Sequence, residues 1–289
     1  MRLTDIISPI NECLIVNMTI NGNLVLLKNR DRAYIPKIKL VRELINDIEV
    51  VYIHDEDTDW SEGINEYGLA LVNATLQGEA DEKAKKKTKK DGKPSKDGFK
   101  VRTALGYKKL SEMIESVINF TGFSTGDGTR SGKPTGLNGH TFISSPTKTY
   151  SIEMSSDKPP IIRKLNPKNI DIRTNHGINY PELGYTNNDD DELSSKSRYG
   201  IAQKELQGVN DIDTAFSRLA NHYDKIPDKL SPYRRNFKLF TGSQMGMDMK
   251  NKSVHLKYDP KMSNFFGIED RTPNDYQPKI KVFVSKVKW

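Results

Sequence analysis

Runs of β-branched, aliphatic and aromatic residues dominate both ends of the chain. Short apolar runs of this composition, bounded by turn residues, predict β-strands. They read CLIVNM, LVLLK, EVVYIHD and GLALVNATL in the first part, GHTFISS and TYSIEM in the middle, and KSVHLKYD and KIKVFVSKVKW near the end. We therefore expect β-sheet at both ends of the sequence.

Helical periodicity is confined to two segments in the middle of the chain. The segment YKKLSEMIESVINF, residues 107–120, predicts a helix whose apolar face consists of Leu110, Ile114, Val117 and Ile118. The segment DIDTAFSRLANHYDKI, residues 211–226, predicts a second helix. Strands and helices that are segregated along the chain favour an α+β layered architecture over repeated βαβ units.

The first two apolar runs are joined by Asn21-Gly22, which predicts a β-hairpin. A type I′ turn needs positive φ at both central positions, and Asn-Gly is a preferred pair for supplying it. With this turn, Cys13 lies opposite Arg30 at about 5 Å between Cα atoms. The hairpin therefore brings the thiol beside the segment KNRD, residues 28–31.

Cys13 is the only cysteine in the chain. A single thiol excludes an intramolecular disulfide and any multi-cysteine zinc site. Alternation puts Lys28 and Arg30 on the face of Cys13, and turns Asp31 the other way unless a bulge intervenes. Because a nearby cation favours the thiolate, Cys13 is a candidate reactive cysteine. The residues alone leave open the alternative of a buried, inert cysteine in a strand.

Length and composition indicate a single domain with one charged loop insertion. The chain of 289 residues is long enough to bury a sizeable core. Its net charge of +7 equals the excess within residues 83–100, which hold nine lysines and two aspartates. They predict a solvated loop insertion at about residues 80–100, with contact to phosphate or an acidic surface as the alternative. The acidic run TNNDDDELSSKS, residues 186–197, is also expected to be a loop.

Several classes of function are excluded by what the sequence lacks. The opening MRLTDIISPINE has neither the apolar run nor the cleavage site of a secretion signal, and no window approaches eighteen apolar residues. We expect a soluble, cytoplasmic protein without membrane insertion. The five histidines lack metal-ligand spacing, and the Gly-rich run at 122–136 lacks the spacing of a phosphate-binding loop. No metal and no cofactor are therefore expected.

Several short motifs occur in the order found in one enzyme family. Cys13 opens a strand and is followed by the Asn-x-Asp triplet of KNRD, and WSEGINEYGLALVNATL carries a G-x-N-E-x-G-L-like segment. GHTFISSPTKTYSIEMSS, RTNHG, SSKSRYGIAQKEL and KLFTGSQMGMDMKNKSVHLKYD follow in turn. This order resembles the cysteine N-terminal-nucleophile (Ntn) hydrolases, which include choloylglycine hydrolase, penicillin V acylase, acid ceramidase and isopenicillin-N acyltransferase.

The resemblance implies a fold and a reaction. The fold would be a four-layer αββα sandwich of the Ntn-hydrolase type. Residues 1–12 would be a propeptide, cut off by the chain itself, and residues 13–289 would form a single domain. The freed α-amine of Cys13 would act as base for its own thiol, which attacks an amide carbonyl and forms a thioester. Water or another acceptor then takes the acyl group, so a small-molecule amide with an acyl group is the expected partner.

The resemblance also assigns roles to named residues. Asp31 would anchor the α-amine of Cys13, and Asn73 would donate its side-chain amide to the developing oxyanion. Asn175 would orient the amine or the oxyanion, with His176 as a neighbour rather than a base. Arg198 would close a polar network near the nucleophile.

One position departs from the family pattern. The family commonly has Arg before the Asn-x-Asp triplet, where this chain has Lys28. Arg30 falls between the Asn and the Asp, so either cation could serve the thiol.

Two other functions stay open at this point. One is a protein with the same fold that no longer turns over and serves as a binding or structural component. The other is a nucleic-acid-associated protein that uses the lysine-rich segment, whose binding would depend steeply on salt. The isolated residues also have ordinary structural explanations, because Asn73 and Asn175 are common turn residues and Arg198 is a typical surface charge.

Overall fold

The fold begins with the predicted hairpin. In the computed structural model, strands β1 (Cys13–Ile20) and β2 (Asn23–Arg32) pair antiparallel with Cys13 opposite Arg30. Asn21 and Gly22 have φ angles of 50° and 79°, as a type I′ turn requires. The hairpin, its register and its turn are therefore confirmed. The structure describes residues 12–76, 97–119, 139–155, 158–184, 189–221, 226–236 and 239–287.

The strands form two large sheets. In chain order the others are β3 (Lys37–Ile45), β4 (Ile48–Asp55), β5 (Trp60–Asn65), β6 (Ala70–Ala74), β7 (Gly139–Ser144), β8 (Thr149–Met154), β9 (Ile161–Lys164), β10 (Asp171–Arg173), β11 (Arg235–Asn236), β12 (Leu239–Asp248), β13 (Ser253–Tyr258), β14 (Asn264–Asp270) and β15 (Lys281–Lys286). The first sheet has the order β10-β1-β2-β12-β13-β15, with β11 beside β12. The second has the order β14-β3-β4-β5-β6-β7-β8-β9.

Four α-helices and one 3₁₀ helix complete the described part. They are α1 (Asp97–Leu105), α2 (Leu110–Asn119), α3 (Asp189–Glu205), α4 (Ile212–Leu219) and the 3₁₀ helix Asp228–Leu230. Both predicted helices are present but shorter than their sequence patterns, and residues 222–225 of the second lie outside the described part. No helix among the described residues is long and apolar enough to cross a membrane.

Two of the predicted loops are partly helical. Residues 189–197 of the acidic run belong to α3, which the sheet stabilises through the buried apolar residues of its later turns, Ala202 among them. Residues 97–100 of the lysine-rich segment belong to α1, whose Val101 and Ala104 pack in a buried cluster. In both places tertiary packing outweighs a polar local sequence. Residues 83–96, the Gly-rich run at 122–136 and residues 1–11 lie outside the described part.

Three buried clusters hold these elements together. The first joins the two sheets, with Cys13, Ile15 and Leu26 from the first sheet and Ile53 and Val72 from the second. The second cluster joins the other face of the second sheet to α1 and α2. The third joins the other face of the first sheet to α3 and α4. Because side chains alternate along a strand, each sheet contributes to two of the clusters.

Candidate active site

Cys13 is the first residue of β1 and faces the second sheet. Its side chain belongs to the cluster between the sheets, whereas Leu14 faces the helices. The thiol is free and buried. A buried free cysteine is by itself no sign of reactivity, so the surroundings of its backbone and its thiol decide what it can do.

Three hydrogen bonds hold the backbone on either side of the Glu12–Cys13 peptide bond. The N–H of Cys13 donates to Oδ1 of Asn175 at 3.0 Å. The carbonyl oxygen of Glu12 accepts from the backbone N–H of Asp31 at 3.1 Å. The carbonyl oxygen of Cys13 accepts from Nη1 of Arg198 at 3.1 Å. The bond that precedes the thiol is thus fixed in position on both sides.

Asn175 is itself held by three separate elements. Its Nδ2 donates to the carbonyl oxygen of Thr75, just after β6, at 2.7 Å. Its backbone N–H donates to Oγ of Ser195 on α3 at 2.8 Å. The next residue, His176, pairs with Gly184, whose φ is 93° and whose hypothetical Cβ would lie 2.4 Å from the Asn175 carbonyl oxygen. The asparagine oxygen is therefore aimed at the Cys13 nitrogen by a rigid frame.

Arg198 connects this frame to the residue before the thiol. Its Nη2 donates to Oδ1 of Asn175 at 3.0 Å and to Oε2 of Glu12 at 2.8 Å. The same Glu12 oxygen lies 2.6 Å from Nη2 of Arg234. Two guanidinium groups therefore hold one buried carboxylate next to Cys13.

Asp31 lies on the helix-facing side of the first sheet, as the alternation predicts. Oγ1 of Thr241 donates to its Oδ1 at 2.6 Å, and Arg198 and Arg234 lie 3.8 Å and 3.9 Å from its Oδ2. Burial raises the pKa of Asp31, and the two arginines act in the opposite direction. The acceptor for the Cys13 nitrogen is Asn175, while Asp31 supports the arginines and holds the Glu12 carbonyl through its own N–H.

The thiol side of the first sheet carries three cations of β2. Lys28 is paired with Glu62, and Nη2 of Arg30 lies 3.1 Å from Oδ2 of Asp55. Nε of Arg32 lies 3.2 Å from the same Asp55 oxygen. Lys28 and Arg30 therefore share the face of Cys13, as the alternation predicts. Arg32 lies on the same face, in line with the same alternation along β2.

Electrostatic coupling on this face links the thiol to the arginines. Burial opposes ionisation of Asp55, but Arg30 and Arg32 outweigh it and lower the pKa of Asp55 to about 2. Burial disfavours the charged form of Arg32, yet the negative charges of Cys13 and Asp55 raise its pKa above the ordinary value.

Asn73 is not brought to Cys13. In β6, Val72 and Ala74 face the cluster that contains Cys13. Because side chains alternate along a strand, the Asn73 side chain points to the opposite face of the sheet. There its Nδ2 donates to Oγ1 of Thr141 at 2.9 Å. The backbone carbonyl of Asn73 does reach the site's periphery, accepting from Nζ of Lys28 at 2.6 Å. An oxyanion role for the Asn73 side chain therefore has no support in this arrangement.

The two histidines near the site serve as structural links. Burial, together with the charges of Lys196 and Arg198, lowers the pKa of His176 to about 4. Its Nδ1 lies 2.9 Å from Oγ of Ser195. Nε2 of His140 on β7 lies 2.8 Å from the His176 carbonyl oxygen, to which it donates. Among the described residues no group of three or more His, Cys, Asp or Glu side chains could hold a metal ion.

On the helix-facing side of the first sheet, the sequence analysis does not predict four side chains of this site, and on the thiol face it does not predict Arg32, Asp55 and Glu62. Ser195 stands three residues before Arg198 and could have been found, because that spacing places both on one helix face. Arg234 and Thr241 lie far from Cys13 in the sequence, and no sequence pattern predicts that they belong to the site. Glu12 was expected only as the last residue of the propeptide.

Comparisons with known proteins add one structural similarity. No family model matches the chain, and no curated protein matches it. Among solved structures, it is similar to penicillin V acylase from Agrobacterium tumefaciens, with a TM-score of 0.44 and 12% sequence identity. The match covers 85% of this chain and 86% of that chain.

Proposed function

We propose that this chain is an Ntn-type cysteine amidohydrolase or acyltransferase whose nucleophile, Cys13, is exposed by self-cleavage. Residues 1–12 would be released and residues 13–289 would form the working domain, a four-layer αββα sandwich. The three buried clusters described above support this layering. The substrate would be a small linear amide that carries an acyl group.

The observation that carries the proposal is the set of contacts at the Glu12–Cys13 peptide bond. Asn175 holds the nitrogen that would become the α-amine, and the Asp31 N–H holds the carbonyl that would be attacked. A backbone N–H at the attacked carbonyl stabilises the negative charge that develops on its oxygen. The bond to the Glu12 carbonyl continues the β1–β2 ladder, whereas the Cys13 N–H has a side-chain acceptor, Asn175, in place of a neighbouring strand.

Self-cleavage and turnover would use the same thiol. In self-cleavage, Sγ bonds to the Glu12 carbonyl carbon, the carbon–nitrogen bond breaks, and the thiol proton passes to the Cys13 nitrogen. Water then hydrolyses the thioester and frees the thiol. The new α-amine has an ordinary pKa of about 7.7 to 8.0, so near neutral pH it can accept the thiol proton when a substrate amide is attacked.

The remaining residues would support these steps. Asn175 would orient the α-amine, and Arg198 would hold Cys13 through its carbonyl oxygen. Lys28, Arg30 and Arg32, each paired with Glu62 or Asp55, would hold the thiol face of the first sheet in place. Asn73 has no role in this proposal.

A direct test uses p-nitroanilides of several simple acyl groups, which release a coloured product when the amide is cleaved. We expect cleaved wild-type protein to hydrolyse at least one of them, with a burst that reports the thioester. The Cys13→Ser variant is expected to lose at least about 10²-fold of this activity, since a hydroxyl is far harder to ionise than a thiol. Equal activity in the two proteins would remove Cys13 from the reaction.

A further inference from the structure

The residue before the nucleophile is an acid with an unusual environment. Glu12 is almost fully buried, with 2% of its surface exposed. Glutamate is almost never buried this completely unless it is paired, and its Oε2 lies 2.8 Å from Arg198 and 2.6 Å from Arg234. A buried ion pair contributes little net stability compared with apolar packing, so stability alone does not account for an acid at this position.

Glu12 and Cys13 anchor the peptide bond between them from opposite sides of the first sheet. The Cys13 side chain lies in the cluster between the sheets. The Glu12 carboxylate lies on the other side, with Arg198 of α3 and Arg234. With both side chains fixed, the Glu12 carbonyl group has little freedom to rotate away from the thiol.

Building on the proposed function, we infer that Glu12 is the positioning residue for self-cleavage. Its carboxylate, held by Arg198 and Arg234, fixes the carbonyl carbon that the Cys13 thiol attacks. The Asp31 N–H then receives the developing charge on the carbonyl oxygen. The determinant of cleavage is thus a side chain that leaves with residues 1–12 and takes no part in later turnover.

The experiment follows the intact mass of the purified full chain over time. Glu12→Gln keeps the size of the side chain and removes its charge, and we expect cleavage to slow by at least about tenfold, because small displacements of a reacting group cost that much or more. The matched control is Glu49→Gln. Glu49 is also buried and paired, 3.0 Å from Nε of Arg42, but it lies in the second sheet. The Glu49→Gln variant should cleave at the rate of the wild type.

A second set of variants separates positioning from damage to the fold. Arg234→Gln removes one partner of Glu12, and the double variant Glu12→Gln/Arg234→Gln should cleave no more slowly than the slower single variant, because both changes break one interaction. The molecules that do cleave have the same sequence in wild type and Glu12→Gln from residue 13 onwards. Their amide hydrolysis per cleaved molecule should therefore be identical.

Two results would overturn the inference and leave the proposed function standing. One is cleavage of Glu12→Gln at the wild-type rate. The other is a double variant whose loss is the product of the two single losses. A wild-type chain that stays whole while Cys13 is intact would overturn the inference and the self-cleavage of the proposed function together.

Discussion

At the scale of single residues, the charges around Cys13 are divided between the two faces of the first sheet. The thiol face carries paired cations and carboxylates of β2, β4 and β5, namely Lys28, Arg30, Arg32, Asp55 and Glu62. The helix face carries Glu12, Asp31, Arg198 and Arg234. Removing one partner from such a buried set leaves an uncompensated charge, which costs about 3 to 5 kcal/mol. These residues are therefore expected to tolerate substitution poorly.

Asp55 gives a pH dependence that can be measured. Its pKa is about 2 in the folded protein and 3.8 as the ordinary value. Because the folded value is depressed, its contribution to stability is present above pH 3.8 and is lost as the pH falls through 2. This difference corresponds to about 2 kcal/mol of unfolding free energy. The unfolding free energies of the wild type and of Asp55→Asn can be compared by urea unfolding at pH 5, 4, 3 and 2. The loss that belongs to Asp55 should occur only in the wild type.

The control for this experiment is Asp275→Asn, which replaces an exposed aspartate. Asp275→Asn should follow the wild-type pH dependence. If Asp55→Asn instead loses stability between pH 4 and pH 2 as steeply as the wild type, the ion pairs of Asp55 with Arg30 and Arg32 do not have the assigned effect.

Single site residues could be predicted from the sequence only where local order marks them. The hairpin turn fixes Cys13 opposite Arg30, and alternation fixes the faces of Lys28 and Asp31. Asn175 and Arg198 were expected from motif order, and both contact the Cys13 backbone. The resemblance implies an oxyanion role for Asn73, but the alternation of β6 turns its side chain away from Cys13.

At the scale of elements, α3 and the segment after β10 act as one unit. Ser195 accepts a hydrogen bond from the Asn175 N–H, and Thr174 donates to the Ser195 carbonyl oxygen at 3.0 Å. Arg198, one turn later, reaches the Cys13 carbonyl oxygen. A shift of α3 would therefore displace the hydrogen-bond partners of both the N–H and the carbonyl oxygen of Cys13.

Ser195→Ala tests this coupling between elements. The substitution leaves the buried Asn175 N–H without its acceptor, which should lower the unfolding free energy by about 1 to 3 kcal/mol. Loosening Asn175 should also slow self-cleavage by about tenfold. Both effects can be measured by urea unfolding and by intact mass on the same sample. Ser197→Ala, at a half-buried position of the same helix, should change neither by more than a small amount.

In two strands, β3 and β12, the local apolar pattern is interrupted by charged, small or polar residues. In β3, Lys37, Lys39 and Arg42 interrupt the apolar residues, and in β12 small and polar residues such as Gly242 and Gln244 do the same. Strand β12 is nevertheless buried from Phe240 onwards and β3 is buried at Ile38, Leu40 and Val41, and each strand pairs with a neighbour on either side. These segments form strands because they pair with residues far away in the sequence. A local pattern carries no information about such pairing.

At the scale of the whole molecule, the first sheet is built from both ends of the chain. Strand β2 pairs with β12, so residues near Cys13 meet residues beyond 239. This pairing carries Thr241 to Asp31. The segregation of strands and helices was enough to expect an α+β layered fold, but the order of strands in each sheet depends on long-range pairing that no local motif specifies.

The proposed function requires that the chain expose Cys13 by its own chemistry. The most direct measurement is the intact mass of purified wild-type protein during incubation, beside the Cys13→Ala variant. The proposal predicts that the wild type loses the whole segment before Cys13, whereas Cys13→Ala keeps its full mass under the same conditions. A wild type that keeps its full mass, or a Cys13→Ala variant that is cut at the same bond, would contradict it.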